Sequence, residues 1–315
     1  MSAPSEPSSA DGLVENGRDT DASPYGAGHP LVRYVLRRIW VSVLLVVGVT
    51  LVTFVLTNLV PGDTVAANLG QQAAADPTIV AAYRAHYGLD RPLSVQYLTY
   101  LGNLLHGDLG ESQQTHRSVA ADLSAAVPAT LEIALGAIAA SILIGVGFGM
   151  VAAVRRGHLA DSALRLVSVL GISVPTFWLA MVAFYVFSYQ LDIAPGSGRL
   201  SPATTAPPTV TGLYTVDSLL AGQWATFADA VAHLMLPTLV LTLYTVGLLT
   251  RFTRSAVLEV LDQDYVRSAR AKGLPGGIVL LRYVLRAGLV PILTVVGLAF
   301  GALLSGTVLV EQIFS

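Results

Sequence analysis

The 315-residue sequence contains no cysteine, a single lysine and few charged residues of any kind. The absence of cysteine excludes disulfide bonds, thiolate metal ligands and cysteine nucleophiles. Charged residues make up only 12% of the chain, whereas soluble domains carry roughly 25%. The formal net charge of −2 argues against a nucleic-acid binder. Because 53% of the residues are hydrophobic and the mean hydropathy is +0.64, the composition indicates a membrane protein.

Five long stretches contain no Asp, Glu, Lys or Arg, and each is 21 to 26 residues long. About 20 apolar residues cross a hydrocarbon core of roughly 30 Å as a helix, so each stretch can form one span. We therefore predict an all-α, polytopic membrane helical bundle with five spans. The stretches are 39–62, 133–154, 166–191, 230–250 and 287–310.

The basic residues predict the orientation of the spans. Arg33, Arg37 and Arg38 precede the first span, which places the N-terminus in the cytoplasm. Alternation then places the segment 251–286, with seven Arg or Lys residues, on the same side. Of the eighteen basic residues, fourteen fall inside and four outside. Residues 1–30 are rich in Ser, Pro, Gly and acidic residues and are predicted to form a disordered cytoplasmic tail.

The sequence offers no means of energising transport by itself. The only lysine, Lys272, is followed by Gly273, so the chain has no Walker A loop for ATP. The five spans contain no acidic residue that could bind a coupling ion. Glu132, at the outer mouth of the second span, is explained by a helix N-terminus. His233, at the outer end of the fourth span, is a candidate proton relay, and a capping or interfacial position is the interpretation that we favour. We predict no catalytic residue and no metal site.

Hydroxyl and amide side chains within the spans could line a polar pathway for a neutral or zwitterionic solute. The alternative is hydrogen bonding between helices, worth roughly 0.6 kcal/mol each, and both interpretations stay open. Two Gly-x-x-x-Gly spacings, at Gly145 and Gly149 and at Gly297 and Gly301, indicate close helix packing. The candidate pathway residues are Thr53, Thr57, Asn58, Ser173, Thr176, Thr242 and Tyr244.

Two segments are predicted to lie outside the membrane. The first, about 61–128, contains a helix capped by Asp76, with Pro77 at its first position and Gly88 at its end. A second helix in this segment runs from about Ser94 to His106. The other outer segment, 192–229, is rich in Pro, Thr and Gly and is predicted to be an irregular loop without chemistry of its own.

The segment 254–277 predicts a helix, a sharp turn and a second helix on the cytoplasmic side. Asp262 or Asp264 can cap the first helix, which continues through Lys272. Gly273 suits the left-handed position that ends a helix, and Pro275 follows it. The small residues of this helix would let it lie close against another surface. A simple basic loop is the alternative interpretation.

Sequence motifs in this segment resemble a known family. The residues Val266-Arg-Ser-Ala-Arg-Ala-Lys-Gly273, followed by Val290-Pro291, resemble the EAA loop of ABC-importer permeases, in the form used by the dipeptide and oligopeptide branch. Further motifs follow in family order and extend the resemblance over essentially 31–315. They include Pro61-Gly-Asp63, His106-Gly-Asp-Leu-Gly110, Pro128-Ala-Thr-Leu-Glu132, Ile172-Ser-Val-Pro-Thr176, His233-Leu-Met-Leu-Pro237 and Glu311-Gln-Ile-Phe-Ser315.

The resemblance implies the first of two permease subunits, in the cell membrane, with a permease domain over 31–315. It implies a second homologous permease, two cytoplasmic ABC ATPase subunits that hold ATP and Mg, an extracellular or periplasmic solute-binding protein and a peptide substrate. This chain itself would carry no cofactor. The coupling loop, about 254–286, would dock on an ATPase through Asp264, Arg267, Ser268, Ala269, Arg270, Ala271, Lys272 and Gly273.

The sequence departs from the family pattern at two points. Arg267 stands where the general EAA pattern has Glu, a variant usual in this branch. The family usually has six spans, and relatives continue past the position of Ser315 with a Trp-Pro-Gly turn and one more span. We expect that final span to be missing from the chain given. Alternative functions are a permease for nickel, glutathione or another small solute, a secondary transporter or channel, and a membrane scaffold or sensor.

Overall fold

The computed structural model describes residues 30–59, 76–88, 90–112, 115 and 117–314. Within these ranges the regular structure is helical, which confirms the predicted all-α class. The predicted tail up to residue 29, the Pro61-Gly-Asp63 motif, the Asn58 side chain and Ser315 lie outside the described residues. The chain forms two compact units, Met1–Gly107 and Asp108–Ser315, and each is described by itself.

Among its described residues, the first unit contains three helices. They are α1 (Pro30–Leu59), α2 (Pro77–Tyr87) and α3 (Leu93–Leu105). The predicted boundaries of α2 are confirmed, because the Asp76 side chain accepts a hydrogen bond from the Thr78 N–H at 2.8 Å and Gly88 has φ +64°. On α3, the Tyr97 hydroxyl donates to the Val47 carbonyl of α1 at 3.1 Å, so α3 packs on α1.

The second unit contains nine helices among the described residues. A long first rod consists of α4 (Val119–Ser141), a π-helical turn (Ile142–Val146) and α5 (Gly147–Val154). The next two helices are α6 (Leu159–Ser173) and α7 (Thr176–Ala183). A π-helical segment, Phe184–Gln190, continues α7. After them come α8 (Tyr214–Leu220), α9 (Trp224–Leu261), α10 (Asp264–Ala271), α11 (Gly276–Ile278), a π-helical segment (Val279–Leu285) and α12 (Arg286–Phe314).

Among the residues that the structure describes, four helical stretches are long and apolar enough to cross a membrane. They are Leu31–Thr57, Val119–Val154, Trp224–Leu261 and Gly276–Phe314, and a fifth span exists only if a bent pair is counted as one. That pair, Leu159–Ser173 and Thr176–Gln190, overlaps the stretch 166–191 for which a single span is predicted, and its two parts meet at 94°. Pro175 causes the break, because it forces the preceding Val174 into an extended conformation, with φ −89° and ψ 127°.

The long helix α9 lies at the centre of the second unit. It packs against α4, α5, α6, α7, α8 and α12, and its buried Leu236, Val240 and Leu241 share a core with residues of α4, α7 and α12. Helix α9 runs from one end of the unit to the other. The end of the unit near Trp224, where α8 lies, is called the α8 end. The opposite end, near Leu261, where α10 lies, is called the α10 end.

Glycine allows α9 to approach the first rod closely. A Cβ added to Gly149 would lie 2.5 Å from the Thr253 Cβ, and one added to Gly145 would lie 2.8 Å from the Leu249 Cβ. These contacts confirm the predicted packing role of the first glycine pair. For Gly297 and Gly301 the prediction is wrong within the described chain, since no atom lies within 4 Å of an added Cβ.

Candidate functional site

A cavity of about 390 Å³ opens at the break between α6 and α7. Three of the predicted pathway residues line it together: Ser173, Thr176 and Tyr244. The break also leaves the last carbonyls of α6 and the first N–H groups of α7 outside any intrahelical ladder. The cavity therefore combines side-chain hydroxyls with backbone polar groups in an otherwise apolar surround of α6, α7, α9 and α12 residues.

The other predicted pathway residues do not join this cavity. Thr242 is buried between α9 and α4, where its hydroxyl donates a long hydrogen bond of 3.5 Å to the Ala137 carbonyl. This position fits the alternative interpretation, helix packing. Thr53 and Thr57 are exposed on α1 of the first unit, and the Thr57 hydroxyl donates to the Thr53 carbonyl at 2.9 Å.

The predicted coupling helix exists as α10, at one end of the second unit. Val266 and Ala269 are its buried residues, and they pack in a core with Val257, Val279 and Val284. Ala269 therefore holds the helix in place and faces away from any partner. The side of α10 and its turn that remains exposed carries Arg267, Ser268, Arg270, Ala271, Lys272 and Gly273.

The ends of α10 agree with the sequence prediction at one terminus only. Gly273 has φ +76° and Pro275 follows it, so the predicted helix stop is confirmed. The predicted acidic N-cap is wrong: Gln263 occupies that position without a side-chain capping bond. Asp264 is instead the first helical residue, where its exposed carboxylate still complements the helix dipole and lies 3.5 Å from Arg267 Nη1.

The α8 end holds buried charges that the sequence analysis interpreted otherwise. Glu132 is the fourteenth residue of α4, so a helix N-terminus does not explain it. Its carboxylate accepts from Arg199 Nη2 at 3.0 Å and from the Thr215 N–H at 2.6 Å. Arg199 also donates to the Gly212 carbonyl at 2.9 Å and lies 3.6 Å above the Tyr214 ring.

Two further acids order the segment 192–229, which was predicted to be irregular. Asp217, on α8, accepts from the N–H groups of Val210, Thr211 and Gly212. Burial by itself raises the pKa of Asp217, but the hydrogen bonds from the Thr211 hydroxyl and these N–H groups outweigh it, so this pKa lies below its ordinary value. Asp229 accepts from the Ser201 N–H and hydroxyl, both at 2.8 Å. The segment is therefore a structured cap.

These features define a class of protein. Apolar helices able to cross a membrane, a cavity with polar groups at a broken helix and a short amphipathic helix at one end together describe a polytopic membrane transport protein. Among the residues that the structure describes, no group of three His, Asp or Glu side chains is arranged to hold a metal ion.

Comparison with known proteins identifies the family within this class. The chain belongs to the family described as binding-protein-dependent transport system inner membrane component, whose model matches residues 145–315. A second model, for the N-terminal part of the membrane component of such systems, matches residues 31–134. The resemblance inferred from the sequence motifs, to ABC-importer permeases of the dipeptide and oligopeptide branch, is confirmed.

Curated relatives align over most of the chain. The chain is 44% identical over 279 residues to the probable D,D-dipeptide transport system permease protein DdpB of Escherichia coli K12, covering 89% of the chain and 82% of the relative. It is 43% identical over 285 residues to the di/tripeptide transport system permease protein DppB of Pseudomonas aeruginosa UCBPP-PA14, and the alignment covers 90% of the chain and 84% of the relative. The chain is 36% identical to the dipeptide transport system permease protein DppB of Alkalihalophilus pseudofirmus, and the alignment covers 90% of the chain and 85% of the relative.

Proposed function

We propose that this chain is a membrane-spanning permease subunit of an ATP-driven importer of dipeptides and oligopeptides. The observation that carries the proposal is α10, an eight-residue helix whose buried Val266 and Ala269 fix it to the bundle while its basic side stays exposed. A helix held rigidly on one side and free on the other is suited to transmit movement from a docked partner. Family membership and relatives named for peptide transport support the same assignment.

The α10 end lies in the cytoplasm in this proposal, and the α8 end lies outside. The distribution of Arg residues supports this orientation, since the segment 251–286 holds seven of the eighteen basic residues. The N-terminus then lies in the cytoplasm. The partners are a second homologous permease, two cytoplasmic ABC ATPase subunits that bind ATP and Mg, and a solute-binding protein at the α8 end. The chain carries no ATP hydrolysis of its own.

The cavity at the break between α6 and α7 is the proposed passage for the peptide backbone. Its hydroxyls on Ser173, Thr176 and Tyr244 suit a solute rich in amide groups. The free backbone groups at the break add donors and acceptors of the kind that discontinuous helices offer to solutes in membrane transporters. The five apolar stretches of the sequence contain no Asp or Glu, which favours coupling through α10 over ion coupling.

The experiment that tests this function is purification of the complex from native membranes, with ATPase activity measured with and without di- to pentapeptides and the binding protein. We expect a second permease and Walker-A ATPases to co-purify and peptide to stimulate ATP turnover. Recovery of the chain alone, with transport that survives loss of every ATPase, would contradict the proposal and favour a channel or secondary carrier.

A matched pair of variants tests the role of α10. Ser268→Trp places a large ring on the exposed side of the helix without entering its core, and we expect the ATPase to be lost from the purified complex. Ala203→Trp, an equally large change at an exposed position of the cap, should retain the ATPase. Equal retention by both variants would place the ATPase contact elsewhere.

A further inference from the structure

A second, smaller cavity of about 160 Å³ lies at the α8 end. It is enclosed by α4, α9, α12 and the cap residues Gly198 and Arg199. Most of its wall is apolar, and three ionisable side chains reach it: Arg199, His233 and Glu311. The apolar residues of the wall are Ala125, Ala129, Ile133, Leu234, Pro237 and Phe314.

Arg199 contributes little net charge to this cavity. Its guanidinium forms an ion pair with Glu132 at 3.0 Å, donates to the Gly212 carbonyl and rests on the Tyr214 ring. The positive charge is therefore balanced by a buried carboxylate. Any unbalanced charge in the cavity must therefore come from His233 or Glu311.

His233 presents a hydrogen-bond acceptor to the cavity. Its Nδ1 lies 2.9 Å from the Asp229 carbonyl oxygen. A carbonyl can only accept, so Nδ1 carries a hydrogen, and Asp229 Oδ1 lies 3.4 Å from the same nitrogen. When Nδ1 holds the only ring hydrogen, Nε2 has a free lone pair. The side chain is only 4% exposed, and within the described part of the chain no group forms a hydrogen bond with Nε2. The ring thus lines the cavity with Nε2 available as an acceptor.

Glu311 adds a negative charge beside this acceptor. Its Oε2 accepts from the Thr130 hydroxyl at 2.6 Å, and no cationic group of the described residues lies within 4.0 Å of the carboxylate. A carboxylate offers about four acceptor positions, so a neutral hydroxyl leaves most of its capacity unused. Glu311 is partly exposed, and a carboxylate in a largely apolar wall is stabilised by a positively charged partner.

We propose that this cavity binds a primary ammonium group of the transported solute, with Glu311 as its charge partner and His233 Nε2 as a second acceptor. An ammonium group brings one positive charge and three donors, which match a carboxylate and a ring nitrogen. The inference rests on the proposed function, because a peptide supplies such a group at its N-terminus or on a lysine side chain. The cavity has room for the ammonium group and a few adjoining atoms, so it acts as a subsite for one end of the solute.

The test is equilibrium binding of radiolabelled dialanine to the assembled complex in nanodiscs, without the binding protein. We expect unlabelled dialanine to compete and N-acetyl-dialanine, which lacks the ammonium group, to fail. Competition by Nα-acetyl-lysinamide would show that a side-chain ammonium is also accepted, and its failure would assign the subsite to the peptide N-terminus. Equal competition by N-acetyl-dialanine would overturn the inference.

Variants separate the charge of Glu311 from the shape of the cavity. Glu311→Gln should raise the dissociation constant for dialanine at least tenfold, whereas Glu311→Asp should retain most of the affinity. Glu111→Gln removes an exposed carboxylate and should leave the affinity unchanged. If the complex with Glu311→Gln does not assemble, Ala125→Leu replaces it as the test variant. Ala125 lies at the exposed rim of the cavity, so the larger side chain narrows the cavity and should weaken dialanine binding. Unaltered affinity in these cavity variants would overturn the inference.

The outcome also separates this inference from the proposed function. Peptide uptake into proteoliposomes, driven by ATP and the binding protein, tests the function alone. Uptake by the wild-type complex together with absence of dialanine binding in nanodiscs would overturn the ammonium subsite and leave the importer assignment standing. Absence of ATP-driven uptake of any peptide would overturn the function and the subsite with it.

Discussion

The Asp161 carboxylate accepts two hydrogen bonds from Arg254, from Nε at 2.7 Å and from Nη2 at 3.0 Å, although 93 residues separate the two in sequence. Asp161 is 1% exposed, and it also accepts from the Gly157 N–H at 3.1 Å. The pair fastens the turn between α5 and α6 to the part of α9 that leads into α10. It therefore fixes the end of α9 from which α10 continues.

Breaking this pair should destabilise the protein strongly. Arg254→Met removes one partner and leaves the Asp161 carboxylate buried, which costs about 3–5 kcal/mol in comparable buried pairs. Thermal unfolding of the purified protein in detergent would measure the loss. Arg165→Met is the matched control, since Arg165 lies 3.5 Å from the same carboxylate but is 56% exposed. A control variant as unstable as Arg254→Met would contradict the assignment of the stabilisation to Arg254.

The two glycine pairs should respond in opposite ways to alanine. In Gly149→Ala the new Cβ would lie 2.5 Å from the Thr253 Cβ and 2.9 Å from the Thr250 carbonyl oxygen. The helices must move apart, and overpacking of this kind costs about 1–3 kcal/mol. Gly301→Ala meets nothing within 4 Å of the described chain and should be neutral, or stabilising by about 0.5–1 kcal/mol through backbone entropy. Unfolding of the isolated chain in detergent would compare them, and equal effects would contradict the packing role of Gly149.

The turn after α10 should require glycine for its backbone conformation. Nothing lies within 4 Å of a Cβ added to Gly273, so steric contact is not the limitation. Its φ of +76° is the difficulty, because valine disfavours the left-handed region strongly. Gly273→Val should therefore misplace α10 and lower ATP-driven transport while membrane insertion is retained. Gly273→Asn, which tolerates this region, should keep most of the activity. Full transport by well-expressed Gly273→Val protein would contradict the coupling role of the turn.

Acid should loosen the cap through Asp217. Because the pKa of this carboxyl is lower in the folded protein than in the unfolded chain, its hydrogen bonds stabilise the cap above the unfolded pKa of about 3.9. This contribution is lost as the pH falls through the folded pKa. Hydrogen exchange of the N–H groups of Val210, Thr211 and Gly212 between pH 7 and pH 3 would report the change, after correction for the intrinsic exchange rates.

A variant identifies the group responsible for this acid step. Asp217→Asn replaces one acceptor oxygen by an NH₂ group that faces the same donors, so it should cost about 1–3 kcal/mol. In this variant the three N–H groups should exchange faster at neutral pH than in the wild type. Their corrected exchange rates should then show no further increase as the pH falls to 3. An acid step of wild-type size in Asp217→Asn would assign the titration to another carboxyl.

Local signals in the sequence were sufficient for the features that depend on neighbouring residues. Asp76, Gly88 and Gly273 mark helix ends because capping and left-handed turns are decided within a few residues. The helix break at Val174 and Pro175 also has a local signal, the proline, although the long apolar stretch around it is typical of a single span.

Partners distant in sequence decided the features that were missed. Glu132 was assigned to a helix N-terminus because Arg199 and Thr215, which bind it, follow 67 and 83 residues later. The cap was predicted to be irregular because the residues that hydrogen-bond to Asp217 and Asp229 come from Pro-, Thr- and Gly-rich sequence without periodicity. Such pairings follow from tertiary packing, and a single sequence holds no pattern that predicts them.

The continuous helix α9 connects the two ends of the second unit. At 1.5 Å per residue its 38 residues extend about 57 Å. The first turns hold His233 at the ammonium cavity, and the last turns hold Val257 under α10. Tilting such a rod about its middle moves its tips in opposite directions. In the proposed importer, a solute that binds at one tip and a nucleotide that changes state beyond the other would therefore act on the same movement. Thermodynamic reciprocity then requires that each event alter the free energy of the other by the same amount.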